Sequence, residues 1–183
     1  MTVKEIPVNI RCVEFRQENT DPDYGSCVYA RFYFNCDKYE LTIISDCGNY
    51  SYKWIETPAT EAFLHLIARM NSGYLVDKIY GQPHIFDYEA TKNSLIKGYS
   101  DSDEDVQADL KEIFKELEAD YEPDSAEEFV RRFVDLRLEV DRDVFDDEFL
   151  WNSIEYCYSA DILKIKSIFE TNIQPYIRKL IEK

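Results

Sequence analysis

VYARFYFNCDKYELTIISDCGNYSYKW, residues 28–54, is the stretch that decides the fold. Val28, Ala30, Phe32, Phe34 and Cys36 alternate with Tyr29, Arg31, Tyr33, Asn35 and Asp37. A period of two with β-branched and aromatic residues specifies a strand with one apolar face. Cys36-Asp37-Lys38 reads as a short turn, and YELTIIS (39–45) continues as the next strand. Asp46-Cys47-Gly48-Asn49 is a second tight turn, because Gly and Asn tolerate positive φ. Tyr50, Tyr52 and Trp54 then share one face of a further strand, opposite Ser51 and Lys53. Upstream, VNIRCVEFRQ (8–17) reads as an opening strand and NTDPDYG (19–25) as a loop. The result is an antiparallel meander of three or four strands.

Downstream the period changes to that of helices. Thr57-Pro58 is a helix start, and Phe63, Leu66, Ile67 and Met70 form its apolar side, ending at Asn71-Ser72-Gly73. Tyr74 to Tyr80 makes a short extra turn or two, and Asp87 caps a helix through Lys97. Ser102 with Asp105 opens a helix to Asp120; Ser125 with Glu128 forms a capping box for another, running to Val140. Phe145 to Tyr158 reads as an aromatic helix, and Ser159 or Ala160 starts the last one, which Pro175 kinks or divides.

Charge is distributed unevenly. Residues 101–148 hold 20 Asp or Glu against six Lys or Arg, a balance of −14 within a total of −16. Such asymmetry points to electrostatics directed at a basic partner, and it opposes direct binding to nucleic acid or anionic lipid. No apolar run reaches the ~18 residues of a membrane helix, and the charged first thirty residues show no secretory signal. Cys12, Cys27, Cys36, Cys47 and Cys157 are expected to be reduced thiols of a cytoplasmic protein, mostly packing in strands.

SDCGNYSYKW (45–54), followed by GYLVDKI (73–79), resembles small proteins encoded by phages and prophages of Gram-positive bacteria. The match covers roughly residues 25–90, with a weaker echo around Pro175. The resemblance implies a phage product acting in a bacterial host cytoplasm, and it carries over no catalytic residue. Small acidic phage proteins of this kind include inhibitors of host defence, among them anti-CRISPR proteins that block a DNA-binding nuclease.

Four constellations compete as the functional site. The acids Asp103, Asp105, Asp109, Glu112, Glu116, Asp120, Glu127, Glu128, Asp135 and Glu139 form helical stripes. Carboxylates three or four residues apart sit about 6 Å from one another, against one phosphate per ~3.4 Å on each DNA strand. One helix is too sparse to imitate a duplex; two adjacent ones approach it. The competing reading is a solvated face. Asp101, Asp103, Asp105, Asp109 and Glu112 have EF-hand spacing, yet Val106 stands where the loop needs Gly. Cys27, Cys36 and Cys47 with His65 or His84 lack the close Cys pair of zinc sites. His65, among apolar helix residues, reads as a packing histidine, and no Cys–His context specifies a nucleophile. Finally, Tyr29, Tyr33, Tyr50, Tyr52 and Trp54 form either an interface patch or the half-buried face of a sheet.

The sequence therefore predicts one α+β domain over residues 1–183: an antiparallel sheet (1–56), helices packed on it (57–98) and an acidic helical half (99–183). The expected function is a non-enzymatic, cofactor-free inhibitor that binds a basic host protein, such as a CRISPR nuclease or another DNA-binding defence protein, through the ten acids, either by DNA mimicry or by another contact. The alternatives are a metal-dependent phage protein of DNA metabolism and a phage structural or assembly partner.

Overall fold

The computed structural model describes residues 3–55, 62–139 and 145–182. Four strands come first: β1 (Ile10–Arg16), β2 (Tyr29–Asn35), β3 (Glu40–Ser45) and β4 (Gly48–Lys53). Helices α1 (Phe63–Arg69) and α2 (Ser72–Ile79) follow, then the short strand β5 (Ile85–Phe86), α3 (Tyr88–Gly98), α4 (Glu104–Asp120) and α5 (Ala126–Glu139). The remainder comprises α6 (Asp147–Asn152), the short strand β6 (Tyr156–Cys157), α7 (Ala160–Ile168), a π-helical turn (Phe169–Ile173) and α8 (Gln174–Ile181). The class is α+β, a four-stranded antiparallel sheet in the order β1-β2-β3-β4 followed by a mostly helical half. Two compact units result, one of Met1–Gln82 with Ser159–Lys183 and one of Pro83–Tyr158.

In the first unit the two-residue period does what it dictates. Ala30, Phe32 and Phe34 of β2 and Leu41 and Ile43 of β3 have no solvent exposure. The register pairs Phe32 with Ile43 and Ile43 with Tyr50. Phe63, Ile67, Ile165, Phe169 and Ile177 supply the other buried side chains, with Phe34 6.4 Å from Phe63 and Phe32 6.4 Å from Phe169. The β4 aromatics are packed: Tyr50 lies 6.1 Å from Tyr80 and donates to the Cys47 carbonyl, and Trp54 is buried. α1 stops at Arg69 with Met70 as its C-cap, just before the end expected at Asn71-Ser72-Gly73, and the Asn71 side chain accepts from the backbone N–H of Gly73 and Tyr74 and so caps α2. The start expected at Thr57-Pro58 lies outside the described residues, as does Val140.

Pro175 acts through the turn before it. Its ring nitrogen has no hydrogen to donate and its ring crowds the carbonyl of Thr171. The chain widens into the five-residue π turn at that place and then resumes as α8. The buried amide of Gln174 donates to the carbonyls of Ile67 (3.1 Å) and Met70 (2.6 Å), and Arg178 donates to Ala68 (2.7 Å). The Ala68 and Met70 carbonyls at the C-terminal end of α1 gain partners in this way, and the Ile67 carbonyl, which also accepts from the Met70 N–H, gains a second.

In the second unit, Leu95 from α3, Leu110, Ile113, Phe114 and Leu117 from α4, and Phe129 and Phe133 from α5 form a core with Phe145 and Leu150. The expected aromatic helix over 145–158 is corrected here. Only Asp147–Asn152 is helical, started by Asp146 accepting from the Glu148 N–H and closed at Ser153. The chain then becomes extended, with Tyr156 opposite Phe86 and Cys157 opposite Ile85. Two further bonds hold it there, Asp87 N–H to the Glu155 carbonyl and Glu155 N–H to Thr91 Oγ1. Pairing of β-prone Tyr156 and Cys157 overrides the aromatic pattern.

Two substitutions test these contacts. Gln174→Ala strands the Met70 carbonyl away from water and leaves the Ile67 carbonyl with the Met70 N–H alone, which costs about 1–3 kcal/mol; urea unfolding should show the loss as a lower midpoint. At Gly98 an added Cβ would lie 2.2 Å from the Phe149 ring. Gly98→Ala should therefore destabilise the second unit by about 1–3 kcal/mol of overpacking, read by hydrogen exchange in α3 and α6.

Candidate functional site

The acids concentrate in one unit. Residues 83–158 contain 23 acids and eight bases, a balance of −15, whereas the other unit contains 14 acids and 13 bases, a balance of −1. Within the acidic unit the largest share belongs to α4, with seven acids and two lysines, while α5 has four acids and three arginines. The negative surface is thus one helix with its flanking loops, instead of two equally acidic helices.

Helical periodicity fixes where the ten candidates lie. Val106, Leu110, Ile113, Phe114 and Leu117 face the core, so Asp105, Glu112 and Glu116 come out on the opposite, exposed side, with Asp109 half-buried on the flank. Asp103 is the exposed N-cap residue of α4, without a side-chain capping bond, so the start predicted at Ser102 moves on by one residue. On α5, Glu127 and Asp135 are exposed. Glu128 is occupied: it accepts from Tyr121 Oη (2.7 Å) and from the Asp124 N–H, while its own N–H bonds Ser125 Oγ, completing the capping arrangement. The side chains of Asp120 and Glu139 lie outside the described set.

The four-residue spacing along α4 works against the helix: Asp105–Asp109, Lys111–Lys115, Glu112–Glu116 and Glu116–Asp120 are all like-charged. Each of these disfavours the helix by roughly 0.2–0.5 kcal/mol, and the two opposite pairs at three-residue spacing, Glu112–Lys115 and Lys115–Glu118, offset part of that. The last turn has no basic residue, although the helix dipole favours cations there.

The unit's cations are directed elsewhere. Arg132 donates to the carbonyls of Leu117 (2.6 Å) and Tyr121 (2.8 Å) and stacks 4.7 Å from the Tyr121 ring. Arg137 donates to the Phe145 carbonyl and to Asp147. Lys92 pairs with Glu118, an acid outside the candidate set that also accepts from Tyr88 Oη at 3.0 Å. The bond from Lys92 is the main cause that holds the Glu118 carboxyl below its ordinary range; burial opposes it, and the bond from Tyr88 adds a lesser lowering.

A groove of about 440 Å³ adjoins this surface within the same unit, with Asp87, Glu89, Glu122 and Asp124 around an apolar floor of Phe86 and Pro123. Asp87 and Glu89 fall outside the acidic stretch of the sequence. The signal that would have found them is the pairing of β5 with β6, which no local pattern encodes.

The remaining constellations resolve geometrically. Asp105, Asp109 and Glu112 sit inside continuous α4 with Val106 buried, so the EF-hand spacing forms no loop. His65 is exposed and therefore not a packing histidine; it lines a pocket of about 480 Å³ with Cys36 and Arg11. The Cys36 thiol donates to the Phe34 carbonyl (3.6 Å), and burial pushes it up, opposite to what a nucleophile needs. Of the three strand cysteines, Cys27 and Cys47 converge, and their third neighbour is Asp46 instead of a histidine. Burial above all pushes both thiols up.

A family model described as a phage family matches residues 1–181. No curated protein and no solved structure is similar. No helix among the described residues is long and apolar enough to cross a membrane.

The Glu118 cluster sets a pH dependence. A carboxyl held low in the folded state adds stability above its ordinary value of 4.5, and that contribution disappears as pH falls through the lower folded value. Stability of the acidic unit should fall in this window, and Glu118→Gln should flatten the fall in acid titrations followed by near-UV circular dichroism.

Proposed function

From a chain that belongs to a phage family, we propose an acidic interaction protein whose 83–158 unit docks on the basic surface of a nucleic-acid-binding host protein and blocks it, in the manner of an anti-CRISPR inhibitor. The observation that carries this reading is the charge pattern of α4. A merely solvated helix face gains from opposite charges three or four residues apart; on α4 every four-residue pair is like-charged and the two opposite pairs, Glu112–Lys115 and Lys115–Glu118, share one lysine, while Arg132, Arg137 and Lys92 bond backbone carbonyls or other acids. A surface that disfavours its own fold is the usual mark of a binding site. A Lys/Arg-lined groove meeting Asp105, Glu112, Glu116 and Asp135 would relieve the repulsion and release the counterions that such a groove otherwise holds.

The mechanism is occupancy. Carboxylates about 6 Å apart along α4 offer a line of negative charge, and the acidic groove receives one long basic side chain whose methylenes lie on Phe86 and Pro123. No step requires a bond to be made or broken. Glu128, already engaged by Tyr121 and Asp124, supports α5 instead of contacting the partner.

Asp105→Lys with Glu116→Lys separates function from folding. The double substitution replaces like-charged pairs by opposite ones and brings a cation toward the C-terminal end of α4, gains that outweigh the loss of a first-turn acid at 105, so stability should hold or rise by up to about 1 kcal/mol. Capture of a DNA-binding protein from host lysate should nevertheless be lost, while the parent's capture should weaken steeply with salt and yield to competing duplex DNA. Capture that ignores salt, duplex and the double substitution would sink the proposal.

A further inference from the structure

The sheet unit holds a cluster that the acidic surface does not use. Cys27 lies just ahead of β2, and Asp46 and Cys47 form the β3–β4 turn. The antiparallel register, with Ala30 opposite Ser45, brings residues twenty apart in sequence to the same place. Their two sulfurs and a carboxylate oxygen all lie within 4.8 Å of one another. Cys27 is wholly buried and Cys47 is 2% exposed, while Asp46 reaches solvent.

We propose that Cys27, Asp46 and Cys47 bind one thiophilic divalent ion of the zinc class, which ties the entry of β2 to the β3–β4 turn. The distances suit such an ion. Tetrahedral zinc with bonds of about 2.3 Å to sulfur and 2.0–2.2 Å to oxygen holds its donors roughly 3.5–3.8 Å apart. Cys27 Sγ is 3.4 Å from Asp46 Oδ1. The carbonyl of Ser26, 3.0 Å from Cys47 Sγ, or a water completes the fourth position. Asp46 is aimed beforehand, since its other oxygen accepts from the Val28 N–H at 2.9 Å, the kind of outer bond that orients a metal-binding carboxylate.

The exchange balances. Both thiols donate hydrogen bonds in the metal-free cluster, Cys27 to Asp46 and Cys47 to Ser26. On binding, two S–H bonds break, two metal–sulfur bonds form and two protons leave to solvent. No oxidant or reductant takes part. The alternative for a thiol pair this close is a Cys27–Cys47 disulfide, a two-electron oxidation that would leave no thiolate to bind a metal.

The test uses the full chain, reduced and stripped of metal, titrated with cobalt(II) and then with zinc(II). One equivalent of cobalt should bring a sulfur-to-cobalt charge-transfer band that zinc abolishes, with two protons released, and zinc should raise the melting temperature. Cys27→Ser and Cys47→Ser should each remove the band, and Asp46→Asn should weaken cobalt binding at least tenfold. Cys36→Ser, which leaves the cluster untouched, should keep both band and stoichiometry. Circular dichroism of each metal-free variant separates loss of binding from loss of fold. Absence of the band in the reduced parent overturns the proposal, as does a band that Cys36→Ser removes or that survives both Cys27→Ser and Cys47→Ser.

Discussion

A sheet with one apolar face must be covered, and much of the cover here arrives from far along the chain. Gln174 bonds the carbonyl of Ile67 across 107 positions of sequence, and Arg178 bonds Ala68 across 110. These contacts, with Phe169 and Ile177 buried beside the β2 and β3 face, hold the last 25 residues in the same unit as the first 82. The entropy of closing so long a loop grows only slowly with its length. A large insertion between the two parts is therefore tolerable, provided the closing segment binds well.

That tolerance makes the division of charge physically reasonable. A balance of −15 placed within the sheet would repel itself across strands only about 4.8 Å apart. Confined to residues 83–158, the same charge is shared between helices whose outer faces project into water and the segments that join them, with a separate core of Phe114, Phe129 and Phe133. The cost stays local, in the like-charged spacing of α4. Arg132 offsets part of it by supplying donors to carbonyls at the C-terminal end of that helix.

Much of this could be read from residues alone. The strict alternation of Ala30, Phe32 and Phe34 made β2 visible, and the Gly48 turn, with φ of 104°, fixed the hairpin after it. The caps at Asp87 and Ser159 could be read as well, because a cap is a contact between near neighbours. What local patterns missed was decided at a distance. Phe149, Trp151 and Tyr156 look like one helix until Tyr156 pairs with Phe86, seventy positions earlier. His65 has apolar neighbours in sequence, yet it shares the exposed side of α1 with Arg69 while Phe63 and Ile67 turn inward. The acidic helix was legible as a stripe; its lack of internal neutralisation was not, since that depends on where Arg132, Arg137 and Lys92 reach.

The narrow ribbon of β5 and β6 has one more consequence. Because Ile85 stands opposite Cys157, the chain enters and leaves the acidic unit at a single doorway. A module whose ends meet imposes no span on its host, so what lies between them can be exchanged for a segment of other length or charge while the framework stays closed.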